Sequence, residues 1–185
     1  MRTFVAIDLD NRIKTNIQRI IDRLDTRDGS IKWISRQAMH ITLKFLGEIS
    51  ESQQSDVENL LDKLTNEHSS FILQCRGTGT FPHKSRNPRV LWIGLDKNEH
   101  FDAFHCDIEE EMAGLGFPKD NRLFSPHLTL GRIKKKAQLD SVLSGLQQYH
   151  NKHFGDIIVK KVIYYKSNLK PTGAEYTVLS EHELK

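Results

Sequence analysis

Two short segments of this 185-residue chain recur at almost one spacing. Ala6-Ile7-Asp8-Leu9-Asp10 matches Trp92-Ile93-Gly94-Leu95-Asp96 at an offset of 86 residues (6 to 92). His40-Ile41-Thr42 matches His127-Leu128-Thr129 at an offset of 87 (40 to 127). Self-similarity at a nearly fixed offset points to a duplicated unit, so a fold built from two similar halves is expected.

The predicted elements agree in order. In the first half, Thr3 to Leu9 reads as a buried strand. A helix follows, with Asp10 as its cap and Ile13, Ile17, Ile20, Ile21 and Leu24 on one face. Ile31-Lys-Trp33-Ile and then His40 to Phe45 read as strands. Ser50-Glu-Ser-Gln53 is a capping-box signature, opening a helix striped by Val57, Leu60, Leu61 and Leu64. Phe71 to Cys75 is a further strand. The second half repeats the order: a strand at Val90 to Leu95, a helix marked by Phe101, Phe104, Ile108, Met112 and Leu115, and a strand within Phe124 to Leu130. After these come a helix marked by Leu139, Val142, Leu143 and Leu146, one long strand from Ile157 to Tyr165, a turn at Pro171-Thr-Gly173, and a last strand at Tyr176 to Leu179.

Each half is thus close to a split β-α-β unit. The expected fold is α/β in composition (α+β in arrangement): two duplicated lobes related by a pseudo-twofold axis, with mostly antiparallel sheets facing a central cleft. The whole chain, 1–185, reads as one bilobal domain. The repeats fall at about 1–80 and about 90–185, joined by a connector, Phe81 to Arg89, that carries two prolines and three cations.

Composition narrows the function classes. The chain is 37% hydrophobic and 28% charged, with a net charge of +3. That balance does not by itself argue for nucleic acid. No apolar run is long enough to span a membrane, and the N-terminus turns polar too early for a signal peptide, so no membrane association and a cytoplasmic location are expected. Cys75 and Cys106 make no disulfide framework and read as buried free thiols. Lys134-Lys135-Lys136 reads as a solvated segment, with a phosphate-backbone contact as the alternative.

The repeated triplets carry the chemistry. Successive strand side chains alternate between faces, so His and Thr at i and i+2 share one. Two such strands brought together offer two imidazoles and two hydroxyls. One imidazole can take a proton and the other give one, while hydroxyls bind phosphate oxygens. Arg132 is the obvious phosphate cation, because a guanidinium grips two oxygens at once. Strict alternation turns both Arg132 and Phe45 away from the His/Thr face. A bulge at Gly131 would re-aim Arg132; for Phe45, a core role and a site role stay open. The remaining seven histidines read as structural or solvent-facing. No Cys/His spacing resembles a zinc site, and the chemistry requires neither metal nor cofactor. Trp33 and Trp92 fit the core better than base stacking; Tyr164, Tyr165 and Tyr176 are undecided.

The chain resembles the two-histidine phosphoesterase superfamily, and within it the RNA 2′,3′-cyclic phosphodiesterases, also called LigT-like or 2′,5′ RNA ligase proteins. The resemblance rests on His40-x-Thr42-x-x-Phe45 and His127-x-Thr129-x-x-Arg132, on the Phe81-Pro82 step, on Pro88 to Trp92 and on Ser125-Pro126. It spans Phe4 to about Leu179. It implies a bilobal α/β fold and hydrolysis of RNA or nucleotide 2′,3′-cyclic phosphate ends to 2′-phosphomonoesters. By resemblance His40 is the general acid and His127 the general base. Thr42, Thr129 and Arg132 bind the phosphate and Phe45 packs on the ribose; the two four-residue motifs are His40 to Leu43 and His127 to Leu130. The expected partner is an RNA or nucleotide bearing the cyclic phosphate, with no obligate protein partner. Reversible 2′,5′ joining and a non-catalytic RNA-binding module are the alternatives.

Overall fold

Side-chain caps fix where the first helices begin. The Asp10 carboxylate accepts the Ile13 amide at 2.8 Å, and Ser50 and Gln53 form a reciprocal capping box. In the computed structural model, which describes residues 1–121, 123–137, 139–170 and 173–185, these open α1 (Asn11–Leu24) and α2 (Glu51–Glu67). The other helices are α3 (Glu99–Gly114) and α4 (Leu139–Gln147). The strands are β1 (Arg2–Asp8), β2 (Ile31–Trp33), β3 (His40–Glu48), β4 (Phe71–Phe81), β5 (Val90–Leu95), β6 (His127–Ile133), β7 (His153–Val159), β8 (Lys161–Lys170) and β9 (Gly173–Glu183).

These nine strands form one antiparallel sheet in the order β7-β4-β5-β6-β3-β1-β8-β9, with β2 paired to β6 beside β3. The two chain halves exchange strands. β4, from the first half, pairs with β5 and β7, while β8, from the second, pairs with β1 and β9. At the middle of the sheet β3 meets β6 through a single partner pair, Ile41 and Leu128.

The long strand expected from Ile157 to Tyr165 is two strands. β7 stops at Val159 and β8 starts at Lys161, with Lys160 between them. Val159 pairs with Phe71, near one end of the sheet order, and Lys161 pairs with Glu183, at the other. Two residues of chain span only about 7 Å. The sheet must therefore curve until its ends approach, and the apolar alternation simply runs through the corner. Bonds from Leu184 to Lys160 and from Ser70 to Lys185 hold that junction.

One face of the sheet is core. Ile41, Leu43, Leu91, Ile93, Leu128 and Leu130 are buried against the helix stripes, including all five apolar residues expected on α1. Burying each such side chain is worth about 1.5–3 kcal/mol. Cys75 is buried, but Cys106 is exposed, contrary to expectation. On α3 the inward stripe is Phe101, Phe104, His105, Ile108 and Met112, and Cys106 lies off it. α3 also stops at Gly114, leaving Leu115 outside as its cap and 37% exposed. Of the turn expected at Pro171-Thr-Gly173, Pro171 and Thr172 lie outside the described residues, and Gly173 begins β9.

Candidate active site

The antiparallel contact of β3 with β6 brings the two triplets together. Ile41 and Leu128 point into the core, so their neighbours His40, Thr42, His127 and Thr129 share the opposite face, all half-buried. The repeat also extends to pairing. Ala6 lies opposite Thr42 as Trp92 lies opposite Thr129, and Asp8 lies opposite His40 as Gly94 lies opposite His127.

Each motif is followed by a bulge at the same place. In β3 the partners step from Thr42 to Lys44, leaving Leu43 extra; in β6 they step from Thr129 to Gly131, leaving Leu130 extra. An extra residue inverts the alternation beyond it. Phe45 and Arg132, three residues after their threonines, thereby return to the His/Thr face. Both are exposed, Phe45 at 63%, which excludes a core role for it. Lys44, at the first bulge, turns the other way. Its buried ammonium pairs with Glu109 at 2.8 Å and donates to the Pro118 carbonyl at 3.0 Å. Gly131, at the second, lies against β2, where a Cβ would meet Ile31 Cγ2 at 2.8 Å and the Lys32 carbonyl oxygen at 3.2 Å.

The two histidines are held alike. Nδ1 of His40 donates to the Ala38 carbonyl at 2.7 Å, and Nδ1 of His127 donates to the Ser125 carbonyl at 2.7 Å. A carbonyl only accepts, so Nδ1 carries the proton and Nε2 is left for acid-base work. Nε2 of His40 lies 3.1 Å from the Thr42 hydroxyl. Burial, the largest cause, pushes both imidazoles below their ordinary pKa of 6.5, against the raising effect of the carbonyl bonds. What differs is the charge around them. The Asp8 carboxylate favours the charged form of His40, opposed by Lys14, which is salt-bridged to Asp8 at 2.7 Å. The Arg132 guanidinium disfavours the charged form of His127.

Aromatic rings line both halves differently. Around His40 stand Phe4 (centroids 4.9 Å apart) and Tyr176 (5.2 Å, edge-on), with Phe45 and Tyr165 packed on Phe4. Tyr164 is on the core face and fully buried. Around His127 stands Phe81 at 4.8 Å, edge-on, itself packed on Trp92. Trp92 lies across two glycines, where a Cβ at Gly79 would strike the indole at 2.3 Å and one at Gly94 at 3.2 Å. Its buried Nε1–H has no hydrogen-bond partner among the described residues. Trp92 is therefore a site-face residue, not the core filler expected.

Asp8, Phe4 and Phe81 were not among the site residues expected from the sequence, although Asp8 lies in the repeated segment and Phe81 in the Phe81-Pro82 step. Asp8 and Phe4 could have been found by pairing the repeated strands, since they face His40 and Phe45. Among the described residues, no group of three or more His, Cys, Asp or Glu side chains is placed to hold a metal ion. Among them, too, no helix is long and apolar enough to cross a membrane.

This duplicated sheet, with one paired His/Thr strand per repeat, agrees with the comparisons to known proteins. The LigT like Phosphoesterase family model matches the chain in two copies, over residues 7–92 and 93–176. The chain belongs to the LigT-like phosphoesterase family, as its motifs led us to expect. It is 34% identical to the RNA 2′,3′-cyclic phosphodiesterase of Methanocaldococcus jannaschii, covering 98% of this chain and 99% of that one. It is 32% identical to the protein of the same name from Methanothermobacter thermautotrophicus, covering 96% and 95%. A crystal structure of a Thermus thermophilus protein superposes with a TM-score of 0.83 at 28% identity, covering 100% of this chain and 98% of that one. The crystal structure of E. coli LigT complexed with 3′-AMP shares the fold, with a TM-score of 0.82 at 23% identity and coverage of 99% and 97%.

Proposed function

We propose that the protein hydrolyses RNA or nucleotide 2′,3′-cyclic phosphate ends to 2′-phosphomonoesters, without a metal, by paired histidine catalysis. The observation that carries this reading is the pair of imidazoles on one sheet face, each with Nδ1 tied to a carbonyl, which makes Nε2 the nitrogen for proton transfer. The near full-length similarity to proteins named RNA 2′,3′-cyclic phosphodiesterase supports it.

In the proposed reaction, Nε2 of neutral His127 takes a proton from water as the water oxygen attacks phosphorus. The bond from phosphorus to the ribose 3′ oxygen breaks, and that oxygen receives the Nε2 proton of charged His40. Each transfer is typically worth ~10²–10⁴-fold. Thr42 and Thr129 donate to the phosphoryl oxygens, and Arg132 stabilises the charge they gain. Phe45, exposed beside Phe4, offers a flat apolar surface to the ribose. The assignment of acid and base follows the family resemblance, and the neighbouring charges run in its direction: the Asp8 carboxylate, partly offset by Lys14, favours the charged form of His40, and the Arg132 guanidinium disfavours that of His127.

The working unit is the whole chain, as one domain. We place it in the cytoplasm, where an exposed free thiol such as Cys106 stays reduced. The test is product analysis in EDTA, using RNA ending in a 2′,3′-cyclic phosphate together with a 5′-hydroxyl RNA. A 2′-phosphate end is expected. A 2′,5′-joined RNA as the main product would replace hydrolysis by ligation, and binding without turnover between about pH 5 and 8, where histidine titrates, would leave only a binding module.

A further inference from the structure

The proposed chemistry uses Arg132 but leaves unexplained the three lysines that begin two residues after it. Lys134, Lys135 and Lys136 line a cavity of about 390 Å³ with Arg89, Asn87, Pro88, Ile133 and Leu139. None of the described residues that line it is acidic. None of the four cations makes a salt bridge to a carboxylate among the described residues, so their charge is uncompensated there. The segment is also anchored. The Ile133 amide donates to the Arg89 carbonyl at 2.9 Å, and the Lys134 and Lys135 amides both donate to the Ser30 carbonyl, at 2.7 and 3.1 Å. Arg89 directly precedes Val90, the cross-strand partner of Arg132. Lys32, on the other side of β6, is also a partner of Arg132. Cations therefore cluster around the end of β6: Lys32 opposite Arg132, Arg89 beside its other partner, and Lys134 to Lys136 just beyond the strand. Lys134 to Lys136 follow Arg132 by two to four residues, and even fully extended chain of that length spans at most about 14 Å.

We propose that this cavity binds the backbone phosphates of the nucleotides preceding the cyclic end, making the substrate an RNA strand rather than a free cyclic mononucleotide. The proposal rests on the hydrolytic reading and specifies its substrate. Clustered cations without a carboxylate partner among the described residues suit a polyanion, and each phosphate neutralised contributes through counterion release with a salt slope of ~0.7 per contact for single strands.

The experiment compares adenosine 2′,3′-cyclic phosphate with an RNA of about eight nucleotides bearing the same end, for wild type, for Lys134→Gln/Lys135→Gln/Lys136→Gln and for Arg89→Gln. The expected result is a loss of about 10- to 100-fold in kcat/KM for the RNA near 0.1 M salt, with a shallower salt slope. The mononucleotide should be hydrolysed as by wild type. Equal losses on both substrates, or no loss on the RNA, would overturn the proposal. Binding of a fluorescent RNA with an ordinary 3′-hydroxyl end is measured in parallel. If wild type hydrolyses neither substrate, the hydrolytic reading fails and this arm decides alone: weaker binding by the triple variant keeps the strand-binding cavity, and unchanged binding removes it.

Discussion

His40 and His127 have the same strand position and a carbonyl partner two residues back, and burial lowers the basicity of both. Their aromatic surroundings differ, and so do their charged neighbours, which bear directly on protonation. Asp8 stabilises the proton on His40, so Asp8→Asn should lower the pKa of the proton donor. In a profile of kcat/KM against pH the alkaline limb would move to lower pH, while the acid limb, set by His127, would stay. Movement of the acid limb instead would exchange the two roles. Arg132→Lys keeps the charge and loses the two-pronged grip, so kcat/KM should fall about tenfold or more with the melting temperature unchanged, because the side chain is exposed.

At the scale of elements, the bulge after each threonine makes the motif work as a unit. Without it Phe45 and Arg132 would enter the core. Gly131 is small because β2 crosses close to it, so Gly131→Ala should push β2 off β6 and cost about 1–3 kcal/mol in urea unfolding. It should also lower kcat/KM by misplacing Arg132. The repeat, the α1 stripe and the Ser50 capping box were all legible in the sequence because each is a matter of residue identity at a set spacing along the chain. The bulges were half legible: Gly131 hinted at one, but nothing at Leu43-Lys44 did, since Lys44 is held by a distant partner, Glu109. The break at Lys160 and the packing of Trp92 over Gly79 were not legible. Both depend on which strands become neighbours, and the exchange of β4 and β8 leaves no mark on hydrophobic period. Cys106 was misread for a simpler reason: the α3 stripe runs beside it.

For the whole molecule, the curved sheet joins two unequal half-sites, and the buried and half-buried imidazoles link stability to pH. His40, His127 and His105, which stacks on Phe124, all have folded-state pKa values held below 6.5, chiefly by burial. The unfolded chain therefore binds more protons as pH drops below 6.5, and folding free energy falls with it. Their contribution is fully present above pH 6.5 and declines toward the folded-state values. Urea unfolding at about pH 7.5 and about pH 5.5, on either side of the histidine range, should show a lower midpoint in the acidic buffer. An unchanged or higher midpoint would contradict the burial account. A bound phosphodiester adds negative charge beside both imidazoles. The kcat profile should accordingly sit at higher pH than the kcat/KM profile.

The central claim is that two copies of one strand supply an acid and a base that are both required. It is tested most directly by the turnover of cyclic-phosphate RNA in EDTA by His40→Ala and His127→Ala, each checked for an unchanged melting temperature. Each variant should lose at least about 10²–10⁴-fold in kcat, the usual worth of one positioned proton transfer. Turnover near the wild-type rate in either folded variant would contradict the claim.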